Sequence, residues 1–337
     1  MKIEASKFTP KPTSKAISKP TLESTILTRT ELTRTELTST ELTKFRYSAD
    51  GRVLQSDHVI IEQPLQIRLC WQLSVNVEYE SQIFSITMRT PGDDKALIIG
   101  LMQSEGIIEH YQQLDSVLPE MDDYVIDDFE IGNHEIEPEN MTGVENQWQV
   151  KLVSGISPDI KSLERFQVTY SSCGLCGTTS LKSLEMKNPP RLNQHKGWLS
   201  FKAICAMPNI MRLAQSQFVK TGGSHAAALF DESGQLVCIK EDIGRHNALD
   251  KLFGASLMQQ DIRGSKCSVV VSGRISFEIV QKTVMAGVGV LIAVGAPSEL
   301  AIVSAKRFDL TLIGFTKESG FNLYHADWRL MPLPKPS

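Results

Sequence analysis

The 337-residue sequence lacks an apolar run long enough to cross a bilayer. Its longest, Val284 to Pro297, is broken by glycines and falls short of the roughly 18 residues a spanning helix needs. A helix end running into a buried strand is expected there. The opening residues, MKIEASKFTPKPTSKAISKP, lack the apolar h-region of a secretory signal. The expected location is therefore the cytoplasm, with no membrane partner. Excess positive charge is absent too. A net charge of -4 gives no general pull toward nucleic acid.

Metal-ligand spacing is also missing. Of the six cysteines, only Cys173 and Cys176 are close in sequence, and no two histidines lie three to five residues apart. A structural zinc site normally brings a second Cys or His pair. A zinc deaminase brings His-x-Glu before Pro-Cys-x-x-Cys, whereas no histidine here has Glu two residues on and Ser172 precedes Cys173. No zinc and no other protein-bound metal is expected. Neither a Walker loop nor a GxGxxG fingerprint occurs, which disfavours a nucleotide hydrolase or a dehydrogenase.

What is present falls into parts. From Leu27 the pentapeptide Leu-Thr-Arg-Thr-Glu runs twice and then decays. A five-residue period puts the leucines on neither a helix face nor a strand face, so residues 1–44 are expected to be a disordered low-complexity tail. Residues 45–165 are expected to form a small α+β subdomain. Strands are expected at Val59-Ile60-Ile61, Leu65 to Leu69 and Phe84 to Met88, and a helix capped by Thr90 or Asp93 runs through Leu97 to Met102 and on to Gly106. Between Glu105 and Lys151 there is no Lys or Arg, which reads as a solvated acidic insertion able to meet a basic partner.

Residues 186–330 have a clearer rhythm. Short β-branched strands at Val237 to Ile239, Ser268 to Val271, Val290 to Val294 and Leu310 to Phe315 alternate with helices. These helices are expected at Arg245 to Leu252, Ile275 to Ala286 and Ser298 to Phe308. Such alternation predicts an α/β layer, a sheet covered on both faces. Three turns in this half share glycine with basic or hydroxyl side chains: Thr221 to His225, Glu241 to Asn247, and Ser272 to Ser276. Turns outside the carboxyl ends of strands line the ligand crevice of such sheets. Helix N-termini and nearby arginines favour phosphate there. His225, Arg245, His246 and Arg274 are thus candidates for holding a ligand with several phosphates, although Asp242 as a simple cap and His246 as a core residue explain single positions equally well.

The loop at 166–185 carries Ser171-Ser172-Cys173-Gly174-Leu175-Cys176-Gly177 after an expected strand at Phe166 to Tyr170. Glycines let backbone or ligand approach closely, and a paired thiol at this spacing can hold a depressed pKa. The same spacing permits a disulfide or a metal chelate, and a thioredoxin-like role stays open. The other four cysteines sit among apolar residues and read as core.

The segments MRTPGDDKALIIGLMQSEGII, SSCGLCG, GGSHAAALFDESG, EDIGRHNALDKLFG, VVSGRISFEIVQKTVMAG, APSELAIVSAKRFDLTLIGF and FNLY span roughly Ile60 to Tyr324. In this order they resemble the formate dehydrogenase accessory sulfurtransferases, the FdhD family. That resemblance implies a deaminase-like layered α/β fold with a smaller N-terminal subdomain, and a homodimer. It implies a sulfurtransferase that takes sulfur from a cysteine desulfurase as a persulfide on Cys173 or Cys176. The sulfur then passes to the molybdenum bis(molybdopterin guanine dinucleotide) cofactor of formate dehydrogenase. By position, Phe315, Thr316, Lys317, Glu318, Ser319 and Gly320 match a cofactor contact of the family. The alternatives are a cofactor-binding chaperone without sulfur chemistry and a thiol-disulfide oxidoreductase. The Thr-Glu-Leu tail, the length of the acidic insertion and Leu101 in place of Phe depart from the family pattern.

Overall fold

A computed structural model describes residues 38–49, 51–120, 146–158, 181, 182, 184, 185, 187–259 and 262–333. The acidic residues 121–145, the expected strand 166–170, nearly all of the 166–185 loop and most of the 1–44 tail lie outside the described residues.

The described chain starts earlier than 45. Strand β1, Ser39–Ser48, and β2, Gly51–Ile60, form an antiparallel ribbon in which Leu42 faces Asp57 and Phe45 faces Leu54. Thr40, Thr43 and the aromatic Phe45 and Tyr47 suit extended backbone. The repeat therefore passes into strand before its last Leu-Thr-Lys, and a tail ending at 44 is corrected to that extent.

Strands β3 (Gln63–Trp71), β4 (Glu80–Arg89), β5 (Leu114–Pro119) and β6 (Gln147–Leu152) make a sheet in the order β4-β3-β6-β5. Leu65, Ile67 and Leu69 alternate onto one face of β3 and pack with Leu97, Ile98 and Met102 of helix α1, Asp94–Ser104. The expected side-chain caps of α1 are absent. Asp93 precedes the helix in the left-handed region, and its carboxylate pairs with Lys240 at 2.6 Å. Thr90 serves a different turn, described below.

The second sheet has the order β12-β11-β10-β9-β7-β8. Its strands are β7 (His225–Phe230), β8 (Leu236–Asp242), β9 (Ser268–Val271), β10 (Val290–Ala293), β11 (Thr311–Lys317) and β12 (Gly320–His325). Helix α2 (Phe201–Ala214) is followed by the short α3 (Ser216–Thr221). Helices α4 (Arg245–Gln259), α5 (Phe277–Met285) and α6 (Glu299–Arg307) follow β8, β9 and β10. Alternation sorts the strand residues. Val269, Val271, Leu291 and Leu312 pack with Leu249, Ile279 and Ala301, whereas Val270, Ile292 and Ile313 pack with Ile204 and Met207 of α2. The sheet is covered on both faces, the layered α/β arrangement that the rhythm predicts.

Helix α4 runs a further two turns beyond the expected Leu252, because Gly254 packs closely there and does not end the helix. A Cβ at Gly254 would stand 1.9 Å from the Ala96 carbonyl oxygen, and one at Gly100 would stand 1.9 Å from that of Asp250. The two glycines let α1 and α4 cross in contact. Helix α5 begins at Phe277 and not at Ile275, since Ile275 is taken up in a parallel bridge with Pro297.

Strands β9, β10 and β11 run parallel, β7 is antiparallel to β9, β8 to β7, and β12 to β11. The carboxyl ends of β8 to β11 therefore share one sheet edge with the start of β7 and the β11–β12 turn. Every described candidate residue lies on that edge.

Candidate functional site

The edge is organised by a carboxylate. Asp242, at the end of β8, is fully buried. Its Oδ1 accepts from Gly244 N at 2.8 Å and from Asn247 Nδ2 at 3.2 Å. Its Oδ2 accepts from Thr90 N at 3.1 Å and pairs with Lys251 Nζ at 2.8 Å. Thr90 answers by accepting from Ile243 N at 3.0 Å through its hydroxyl and from Lys251 Nζ at 2.7 Å through its carbonyl. Asn247 also donates to the Met88 carbonyl at 2.7 Å. The Glu241–Asn247 turn is thus sewn to the end of β4, a larger role for Asp242 than capping a helix. A buried carboxylate is tolerated only when its lone pairs are filled in this way.

That clamp presents Arg245 and His246 in the first turn of α4. The following junction supplies their neighbours. A Cβ at Gly273 would lie 3.5 Å from Arg245 Cδ and 3.6 Å from His225 Nδ1, so Arg245 and His225 close around a glycine. Ser272 and Ser276 each hold a histidine. His225 Nδ1 is 3.4 Å from Ser272 Oγ, which also accepts from Ala226 N at 2.9 Å. His246 Nε2 lies 3.2 Å from Ser276 Oγ and 2.9 Å from Glu278 Oε2. Between the serines, Arg274 is exposed.

Electrostatics agree with cationic side chains gathered at this edge. Burial lowers the His225 pKa, and the positive charges of Arg245 and His246 lower it further, against an opposing pull from Asp242. The hydrogen bond from His246 lowers the Glu278 pKa against burial. Arg245 Nε is buried and finds no hydrogen-bond partner among the described residues. A buried donor of this kind calls for an acceptor.

The next junctions continue the edge. A Cβ at Gly295 would lie 2.8 Å from the Gly273 carbonyl oxygen, and Phe315 N donates to the Gly295 carbonyl at 3.1 Å. Phe315 adopts φ 53°, a left-handed conformation rare for a bulky residue, and its ring is exposed. Lys317, Glu318 and Ser319 are exposed in the turn, whereas Thr316 points inward. Beyond Glu318 a groove of about 360 Å³ runs along Phe201, Cys205 and Asn209 of α2.

His225, Arg245, His246 and Arg274 are brought together, and backbone contacts through Gly273 and Gly295 join them to Phe315–Gly320. Cys173 and Cys176 lie outside the described residues. Cys70, Cys205, Cys238 and Cys267 are free thiols whose pKa is raised by burial, which suits core residues and not nucleophiles. Among the described residues, no three His, Cys, Asp or Glu gather as a metal site, and no helix is long and apolar enough to cross a membrane. Sequence reasoning missed the clamp by Thr90 and Lys251 and the part played by Glu278. Only the hydroxyls of Ser272 and Ser276 were visible, as members of the turn.

Comparison with known proteins covers most of the chain. Residues 72–331 match the model of the FdhD/NarQ family. A sulfur carrier protein FdhD from Streptomyces coelicolor is 40% identical over 278 residues, covering 82% of this chain and 90% of the relative. One from Saccharolobus solfataricus is 36% identical over 276 residues, covering 82% and 91%. A crystal structure of a protein from Desulfotalea psychrophila, assigned as a formate dehydrogenase accessory protein, superposes with a TM-score of 0.61 at 20% identity. It covers 88% of this chain and all of the other, and so shares the fold. With most of its length matched by the family and by relatives above one-third identity, the chain belongs to the FdhD/NarQ family.

Proposed function

We propose that this chain is a cytoplasmic sulfurtransferase that carries sulfur on its Cys173-Gly174-Leu175-Cys176 loop. The sulfur is destined for the molybdenum bis(molybdopterin guanine dinucleotide) cofactor of a formate dehydrogenase. Family membership supports sulfur carriage in formate dehydrogenase maturation. One observation carries the cofactor half of the reading: the cationic side chains converge on a single sheet edge around an unsatisfied Arg245 Nε.

In this reading a thiolate of Cys173 attacks the outer sulfur of a cysteine desulfurase persulfide. The donor S–S bond breaks, the donor cysteine leaves as thiolate, and Cys173 bears the outer sulfur. Cys176 is the alternative carrier. Exchange of this kind runs fastest when the attacking thiol has a pKa near ambient pH, a condition the buried cysteines fail.

The residues present fit a guanine dinucleotide. Its pyrophosphates are polyanions, and Arg245, Arg274 and Lys317 together with the α4 N-terminus offer charge-assisted donors on one edge. Gly273 leaves the space beside Arg245 and His225 free of a side chain. When bound, the cofactor supplies the metal centre that accepts sulfur. His225, held by Ser272 and with its pKa lowered by burial and by Arg245 and His246, is a hydrogen-bond partner for ligand. His246, held by Glu278, is a proton carrier.

A Cys173→Ala, Cys176→Ala double variant tests the reading in cells that depend on this chain. Loss of formate dehydrogenase activity with the dehydrogenase still present is expected. Retained activity contradicts sulfur carriage and leaves a binding chaperone.

A further inference from the structure

Two carboxylates stand beside Arg245 and His246, and they are held very differently. Asp242 is fully buried and spends both oxygens on donors of the clamp. Glu278, in the first turn of α5, has 62% of its side chain exposed and brings Oε2 to 2.9 Å from His246 Nε2. The hydrogen bond from His246 is the main reason that its pKa lies below the ordinary 4.5, against the partial burial of the carboxyl. The charges of His246, Lys282 and Arg245 lower it further. Glu278 is therefore an anion at neutral pH, set among the cations assigned to phosphate.

This anion moves easily. Exposed ion pairs contribute little to stability, so Glu278 turns out into water at small cost. A buried carboxylate with the partners of Asp242 has no such freedom.

Tethering makes a modest pair selective. A group carried on the same chain meets His246 at an effective concentration on the order of millimolar. A free monoanion, such as chloride or a carboxylate, offers His246 the same single charge as Glu278 and lacks that advantage. A polyphosphate arrives differently. Arg245 Nε is buried without a hydrogen-bond partner among the described residues, so the place beside it is open to a first phosphate while Glu278 fills the adjoining one. A second phosphate joined to the first is tethered as well. It brings more charge and more acceptor oxygens than the carboxylate it displaces.

Given the phosphate reading of this edge, on which this rests, we infer that Glu278 is a stand-in anion and a specificity-determining residue. In the free protein it fills the phosphate place beside His246 and shuts out singly charged anions. A polyphosphate displaces it, and His246 Nε2 then turns from Glu278 to the ligand.

The test measures binding of inorganic pyrophosphate and of acetate to the full chain by calorimetry, with the ¹⁵N resonances of the histidine rings followed by NMR. Glu278→Ala is expected to bind pyrophosphate about three- to tenfold more tightly than wild type. Glu278→Asp keeps the charge on a side chain too short to meet His246, and should gain in the same direction. A general field of negative charge would leave that variant at the wild-type affinity. Acetate should shift the His246 resonance in Glu278→Ala and leave it in place in wild type. Equal or weaker pyrophosphate binding in Glu278→Ala, wild-type affinity in Glu278→Asp, or one acetate response shared by wild type and Glu278→Ala would each overturn the inference and leave the phosphate reading standing. Pyrophosphate bound by neither wild type nor variants would overturn both. Should Glu278→Ala lose its fold, Glu278→Asp decides.

Discussion

Asp242 and Lys251 meet at 2.8 Å with both side chains withdrawn from solvent. The pair holds the turn that carries Arg245 and His246 against the end of β4. Removing one partner strands a buried charge, at a cost of about 3–5 kcal/mol. Asp242→Asn is expected to lower the unfolding free energy by that order in urea titrations, and an unchanged midpoint would count against the clamp.

Arg245 and Arg274 are expected to act on ligand and not on folding. A hydrogen bond to a charged group contributes about 1.5–3 kcal/mol. Each Arg→Ala variant is therefore predicted to weaken binding of guanosine diphosphate by roughly 10- to 150-fold in calorimetry. Arg274, being exposed, should leave thermal stability as it was, and equal affinity in both variants and wild type would remove the phosphate site from this edge.

The α1–α4 crossing has no room for a methyl group. Gly100→Ala and Gly254→Ala each place a Cβ 1.9 Å from a carbonyl oxygen. Overpacking of this kind costs about 1–3 kcal/mol or more. Both variants should melt below wild type in calorimetric scans, and a wild-type melting temperature would mean that the helices do not cross here.

His225 has a pKa held below the ordinary 6.5 by burial, Arg245 and His246. Above the ordinary value both folded and unfolded chains are neutral there, and the full stability is present. As pH falls through 6.5 the unfolded chain takes up the proton first, so stability declines until the lowered folded pKa is passed. His225→Gln should flatten that stretch of the stability profile below neutrality. Glu278 contributes above its ordinary 4.5 and loses its contribution as pH falls through its lowered pKa, which separates the two groups along the pH axis.

Much of the scaffold was legible in the sequence. Val269-Val270-Val271 and Val290 to Ile292, set between amphipathic helices, announce a sheet with two covered faces, and the turns at Arg245 and Arg274 fall at the carboxyl ends of its parallel strands. What stayed hidden depends on distant pairs. Thr90 and Asp242 are 152 positions apart, and nothing local in either marks the other. Lys251 and Lys282 look like surface lysines until Asp242 and Asp250 are seen to receive them. The two turns of helix beyond the expected Leu252 include Gly254, and the Ala96 carbonyl it accommodates belongs to another segment. The β1 strand was masked by a repeat whose five-residue period hides the alternation that begins at Ser39.

Sulfur on a loop cysteine is the claim on which the functional account stands, and intact-protein mass spectrometry measures it most directly. After incubation with a cysteine desulfurase and cysteine, the wild-type chain should gain about 32 Da, one sulfur atom, removable by reductant. Cys173→Ala should lose that gain and Cys176→Ala should keep it. A gain that persists in the double variant, or none in the wild type, would contradict the account.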